Sequence, residues 1–132
     1  MNQDQAIERW KATEQIKTNL ETLPGKIADI ETEMIRMQNE LEEAKLVMKS
    51  IENSAWSKVV EEINPDTGKP RYTNESQRRS ATDVELSISP SVIELKKRIV
   101  DTARKIAEET IRRDFLSRNF RAAEALARMG VE

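Results

Sequence analysis

The clearest signal in this chain is a spacing. From Leu20 onward, apolar residues recur at alternating steps of three and four: Leu20, Leu23, Ile27, Ile30, Met34, Met37, Leu41, Ala44, Met48, Ile51 and Ala55. A repeat averaging 3.5 residues keeps one stripe of a helix turned toward a neighbour, which is the signature of a coiled coil. The flanking positions are charged or polar (Lys26, Glu31, Glu33, Gln38, Glu40, Lys45, Glu52), as a solvated rim requires. Ile35, Leu46 and Val47 fall outside the stripe and widen the apolar face, which suggests a second neighbour. The pattern predicts a long helix over 24–62, with Pro24 in its first turn, preceded by a separate short helix over 3–22 anchored by Trp10.

A second stripe starts at Val92, Leu95, Ile99, Ala103 and Ile106. It then reads as drifting to Ile111, Phe115, Leu116, Phe120, Ala123 and Leu126. Ser89 as N-cap, Pro90 in the first turn and Gly130 as C-cap bound a helix over 90–129. Between the long helices, Asn74 with Gln77 three residues later marks the start of a short helix over 74–86. Residues 63–73 read as a turn or small β-hairpin. The expectation is one all-α domain spanning 1–132, an elongated antiparallel helical hairpin or coiled coil with a short N-terminal helix and a small insert where the chain reverses.

Composition narrows the chemistry. The 132 residues include no cysteine and no histidine, 35% are charged and 4% aromatic. Thiol nucleophiles, thiolate metal sites and the usual general base are therefore missing. No apolar run approaches a membrane span, and the polar opening MNQDQAIERW is unlike a secretory signal, so a cytoplasmic protein without membrane contact is expected. Residues 1–56 carry 7 basic and 11 acidic side chains, whereas residues 90–132 carry 10 and 7. The net charge of −2 thus hides opposite signs at the two ends.

Three constellations were candidates for chemistry. Gly68-Lys69 has the look of a phosphate loop, but Ile63 stands where a glycine is needed and Pro70 where a Ser or Thr is needed. Asn64-Pro65-Asp66-Thr67-Gly68 instead suits a turn closed by a left-handed glycine. Arg112, Arg113, Arg118 and Arg121, interleaved with Phe115 and Phe120, form a candidate contact for nucleic acid or an acidic partner. Asp114 and Glu124 dilute that patch, and the sequence pI of about 5.5 does not favour nucleic acid. Carboxylates such as Glu40, Glu42, Glu43, Glu108 and Glu109 sit on helix faces where they serve solubility. No catalytic, cofactor or metal site is expected.

The stretch GKPRYTNE with Arg78 beyond it, placed between two long charged helices, resembles a loose group of small phage and prophage helical proteins carrying a "GKPxYxNExxR"-like insert. The resemblance implies a non-enzymatic accessory of phage recombination or DNA replication. The reading of the residues is an adaptor that binds a protein partner and forms homo-oligomers. Its interface would be Ile27, Ile30, Met34, Met37, Leu41, Met48, Phe115 and Phe120, with Tyr72, Arg78 and Arg79 displayed at the reversal. The alternatives are a DNA-associated factor using the basic last helix, or a phage inhibitor of a host defence or nucleic-acid enzyme.

Overall fold

A computed structural model describes residues 2–130. It contains three α-helices: α1 (Gln3–Glu61), α2 (Glu75–Ile88) and α3 (Pro90–Gly130). Among the described residues there is no strand, only one isolated antiparallel bridge between Ile63 and Pro70. The fold is all-α, and the pairing of α1 with α3 is consistent with a helical hairpin.

The chain divides into two compact units. One comprises Met1–Met37 with Lys105–Glu132, and the other Gln38–Arg104. In the first, Ile30, Met34 and Met37 of α1 form a buried cluster against Ile106 and Leu116 of α3. In the second, Ala44, Met48, Ala55 and Val59 of α1 are buried, as are Thr82 of α2 and Val92 of α3. All eleven positions of the α1 stripe are buried or half-buried, and Val59 extends it by one more step.

The boundary expected at Pro24 is not there. α1 runs unbroken for 59 residues with Pro24 inside it, so the separate helices over 3–22 and 24–62 are one element. An interior proline removes one backbone hydrogen bond and costs roughly 3 kcal/mol. Burial of Leu23, directly beside it, offsets about 1.5–3 kcal/mol of that, and half-buried Leu20 and Ile27 contribute in the same sense. A capping box starts the helix: Asn2 Oδ1 accepts from Gln5 N at 2.8 Å, and Asn2 N donates to Gln5 Oε1 at 3.3 Å. Trp10 anchors nothing. It is 64% exposed, and every residue from 2 to 15 is exposed.

Residues 62–74 turn the chain as a compact loop. Asn64 N donates to Lys69 O and Arg71 N to Glu62 O, both at 2.9 Å, around the single bridge. Gly68 closes the turn at φ +68°, its N–H reaching Asn64 O at 2.9 Å. The Asn64 side chain braces the turn, its Oδ1 accepting from Asp66 N. A β-carbon at Gly68 meets no neighbour, so the cost of Gly68→Ala is conformational alone. Left-handed backbone costs an L-residue roughly 1–2 kcal/mol, and a fall of that size in unfolding free energy is expected by urea titration.

Asn74 caps α2 as the sequence suggests, accepting from Gln77 N at 2.8 Å. Gln77 returns its bond one residue earlier than a standard box, taking Thr73 N at 3.0 Å. Ser89 ends α2 and caps α3, its Oγ accepting from Val92 N at 3.5 Å. Lys58 of α1 reaches Glu85 of α2 at 2.6 Å and ties the two helices together. The hydrogen bond to Glu85, helped by its charge, raises the Lys58 ammonium above the ordinary value of 10.5. A raised lysine stabilises the fold fully below that ordinary value and loses its contribution as pH climbs through the raised one. Half-buried Trp56 borders α2 beside Thr82 and Leu86 and should report this. The difference in Trp fluorescence melting between the native chain and Glu85→Gln is expected to persist at neutral pH and to vanish in strong alkali.

Candidate interaction surfaces

The apparent drift along α3 is two stripes interleaved on one helix. The buried side keeps the strict spacing of three and four through Val92, Leu95, Ile99, Thr102, Ile106, Glu109, Arg113, Leu116, Phe120, Ala123 and Ala127, each buried or half-buried. Polar residues occupy three of those positions, so a count of apolar residues jumps to the wrong side there. Ala103, Ile111, Phe115 and Leu126 do not belong to the covered stripe, and all four are exposed.

Those exposed residues make a row of their own. Ile111, Phe115, Arg118, Ala122, Leu126 and Met129 follow one another at steps of three and four, and none is covered. Each residue turns the helix by roughly 100°, which puts this row on the side of α3 away from the Leu116–Ala123 seam. Ile111 is 71% exposed, Phe115 59% and Met129 81%. At 1.5 Å per residue the row is about 27 Å long. Sequence reasoning named Phe115 but missed Ala122 and Met129, and merged Ile111 and Leu126 with the inner stripe. The signal that separates them is the same three-four count started from Ile111.

The other residues proposed as an interface lie elsewhere. Ile30, Met34 and Met37 are buried in the cluster against α3, and Met48 is buried in the second unit, so these four are core. Ile27, Leu41 and Phe120 are half-buried. The stripe is filled from within the chain at Ile30–Met37, which the spacing alone left open between one chain and two.

The four arginines do not converge. Arg113 occupies a seam position, its side chain 33% exposed and paired with Asp114 at 3.3 Å. Arg112 lies 3.8 Å from Glu109, and these two border a small groove with Lys26, Asp29, Ile30 and Glu33. Arg118 and Arg121 are exposed, and among the described residues neither has an ion-pair partner. Three residues apart, they are neighbours on one side of α3, whereas Arg112 lies roughly 120–180° around the helix from them. The four arginines share no common face.

Of Tyr72, Arg78 and Arg79, only Arg79 is displayed, its guanidinium 2.9 Å from Glu75. Arg78 is half-buried because it begins the covered side of α2 that Thr82 continues, and Thr82 Oγ1 donates to its carbonyl at 2.7 Å. Its Nε is buried without a hydrogen-bond partner. Tyr72 is half-buried and lines an open groove of about 1100 Å³ between α1 and α2, with Leu46, Lys49, Asn53, Val84 and Ile88. Elsewhere, the Arg36 side chain donates to the Glu33 carboxylate and lowers its pKa from the ordinary 4.5, a solvated pair within one helix.

Among the described residues, no group of three or more carboxylates is placed to hold a metal ion. No helix is long and apolar enough to cross a membrane. No protein-family model, curated protein or solved structure matches the chain.

Proposed function

We propose that this chain is a non-enzymatic helical interaction protein, of the phage or mobile-element type its central insert resembles, acting through protein partners and self-association in the cytoplasm. The observation that carries this reading is the exposed row on α3, which leaves Ile111, Phe115, Leu126 and Met129 in water although the opposite side of the same helix is covered. Large apolar side chains aligned along one helix face favour burial against another helix. Arg118, exposed within the row, favours a partner face that carries acid at that point.

The reading as a DNA-associated accessory has less support, because its four arginines are spread around α3 and one lies in the seam. The test compares the native chain with Phe115→Glu/Leu126→Glu, both substitutions at exposed positions. Light scattering over a concentration series, with titration of single- and double-stranded DNA across a salt series, is the measurement. Association that the variant loses supports the reading. A native chain that stays monomeric but binds DNA, weakening steeply with salt, overturns it in favour of the DNA reading.

A further inference from the structure

The groove between α1 and α2 is apolar along one part and carries an unpaired charge near each end. Leu46, Val84 and Ile88 line it and are 67%, 61% and 70% exposed. On the α1 side Ser50, Asn53, Ser54 and Ser57 also line it, and such short side chains let a neighbouring helix approach closely. From Leu46 to Glu61 the groove runs about 22 Å at 1.5 Å per residue. Small-molecule sites enclose most of their ligand, whereas this one, about 1100 Å³, is open to water. Its length and form suit a helix laid between two others.

The charges narrow the choice of helix. Lys58 is paired with Glu85 and Glu62 with Arg71, but Lys49 and Glu61 have no ion-pair partner among the described residues. Glu61 is the last residue of α1, where the open carbonyls of the helix end already carry partial negative charge. Lys58, the basic residue of that last turn, is taken by Glu85. A cation is therefore favoured over Glu61. Lys49, twelve residues earlier and about 18 Å away, favours an anion.

We infer that this groove binds an amphipathic helix of a partner protein, whose apolar face meets Leu46, Val84 and Ile88 and which sets an acidic residue over Lys49 and a basic residue over Glu61. The exposed row of α3 on a second copy is a poorer occupant, because its one charged member is Arg118 and it has no acid to offer Lys49. The inference rests on the reading of the chain as a protein-binding one, but not on the row of α3.

The probe is a displayed library of 18-residue helical peptides, with leucine fixed along one face and Glu, Lys, Gln and Ala varied elsewhere. Selection on the native chain is expected to enrich peptides with opposite charges at their two ends. In fluorescence anisotropy they are expected to bind Val84→Glu/Ile88→Glu at least roughly tenfold more weakly than the native chain. Both substitutions fall at exposed positions, and circular dichroism checks that the helices are retained. Selection on Lys49→Glu is expected to give peptides basic at both ends, a change that general stickiness would not produce. Phe115→Glu/Leu126→Glu is expected to bind the original peptides as the native chain does. No enrichment, or peptides that bind Val84→Glu/Ile88→Glu as well as the native chain, overturns the inference; self-association that depends on α3 would leave the reading of the chain standing. Selected charges that ignore Lys49→Glu overturn the occupant named here. Self-association of the native chain that Val84→Glu/Ile88→Glu abolishes overturns it in favour of a second copy.

Discussion

Replacing Ile30 with alanine is expected to lower the unfolding free energy by about 2–5 kcal/mol, the range for deleting a large aliphatic side chain from a packed cluster. Ile30 is 5% exposed and touches the group formed with Met34 and Met37, against which Ile106 and Leu116 pack. Those contacts cross from α1 to α3, so the cavity falls between helices and cannot close by a side-chain rotation alone. Ile35 provides the control. It lies in the same unit and helix but is 58% exposed, and Ile35→Ala should stay within about 0.5 kcal/mol of the native chain. Urea titration followed by circular dichroism measures both. Equal losses at the two positions would mean that the covered side of α1 is wrongly placed.

The second large effect has the opposite sign. Pro24→Ala is expected to stabilise the chain by about 2–3 kcal/mol, since proline is roughly 3 kcal/mol worse than alanine inside a helix and its stiffening of the unfolded chain returns up to about 1 kcal/mol. Pro24 is exposed, so alanine there leaves no cavity, and the restored N–H can bond to the carbonyl of Leu20. Gly25 beside it has open space where a β-carbon would stand. If these two residues instead ended one helix and began another, the substitution would give little or nothing. The thermal midpoint of Pro24→Ala relative to the native chain separates the outcomes.

Much of α1 was legible from sequence because every position of its stripe is apolar, and the covering of those eleven residues follows directly from their spacing. Pro24 was misread because a local rule weighs the lost hydrogen bond and cannot see the burial of Leu23 beside it. α3 was harder for a different reason. Thr102, Glu109 and Arg113 stand at covered positions while Ile111 and Phe115 stand at open ones, so polarity and burial disagree over the very turns where the count must choose a side. Both sides of that helix are apolar enough to be covered, and only the placement of α1 decides between them. The caps at Asn74 and Ser89 and the left-handed Gly68 were readable because each depends on residues within a few positions. The second unit's groove at Tyr72 was not, since it arises from α2 lying beside α1.

Glu109 and Arg113 in the seam have a further consequence. A uniform repeat of apolar residues would let α3 slide along α1 by seven residues with little loss, since each covered side chain would meet a similar one. Here such a slide would bring Glu109 to the place of Leu116 beside the Ile30 cluster, or Arg113 toward that of Ile106. A charge set against that apolar cluster loses water, which disfavours the shifted pairing. The two charged residues of the seam therefore count against such a slide, the part that one polar residue plays in a zipper.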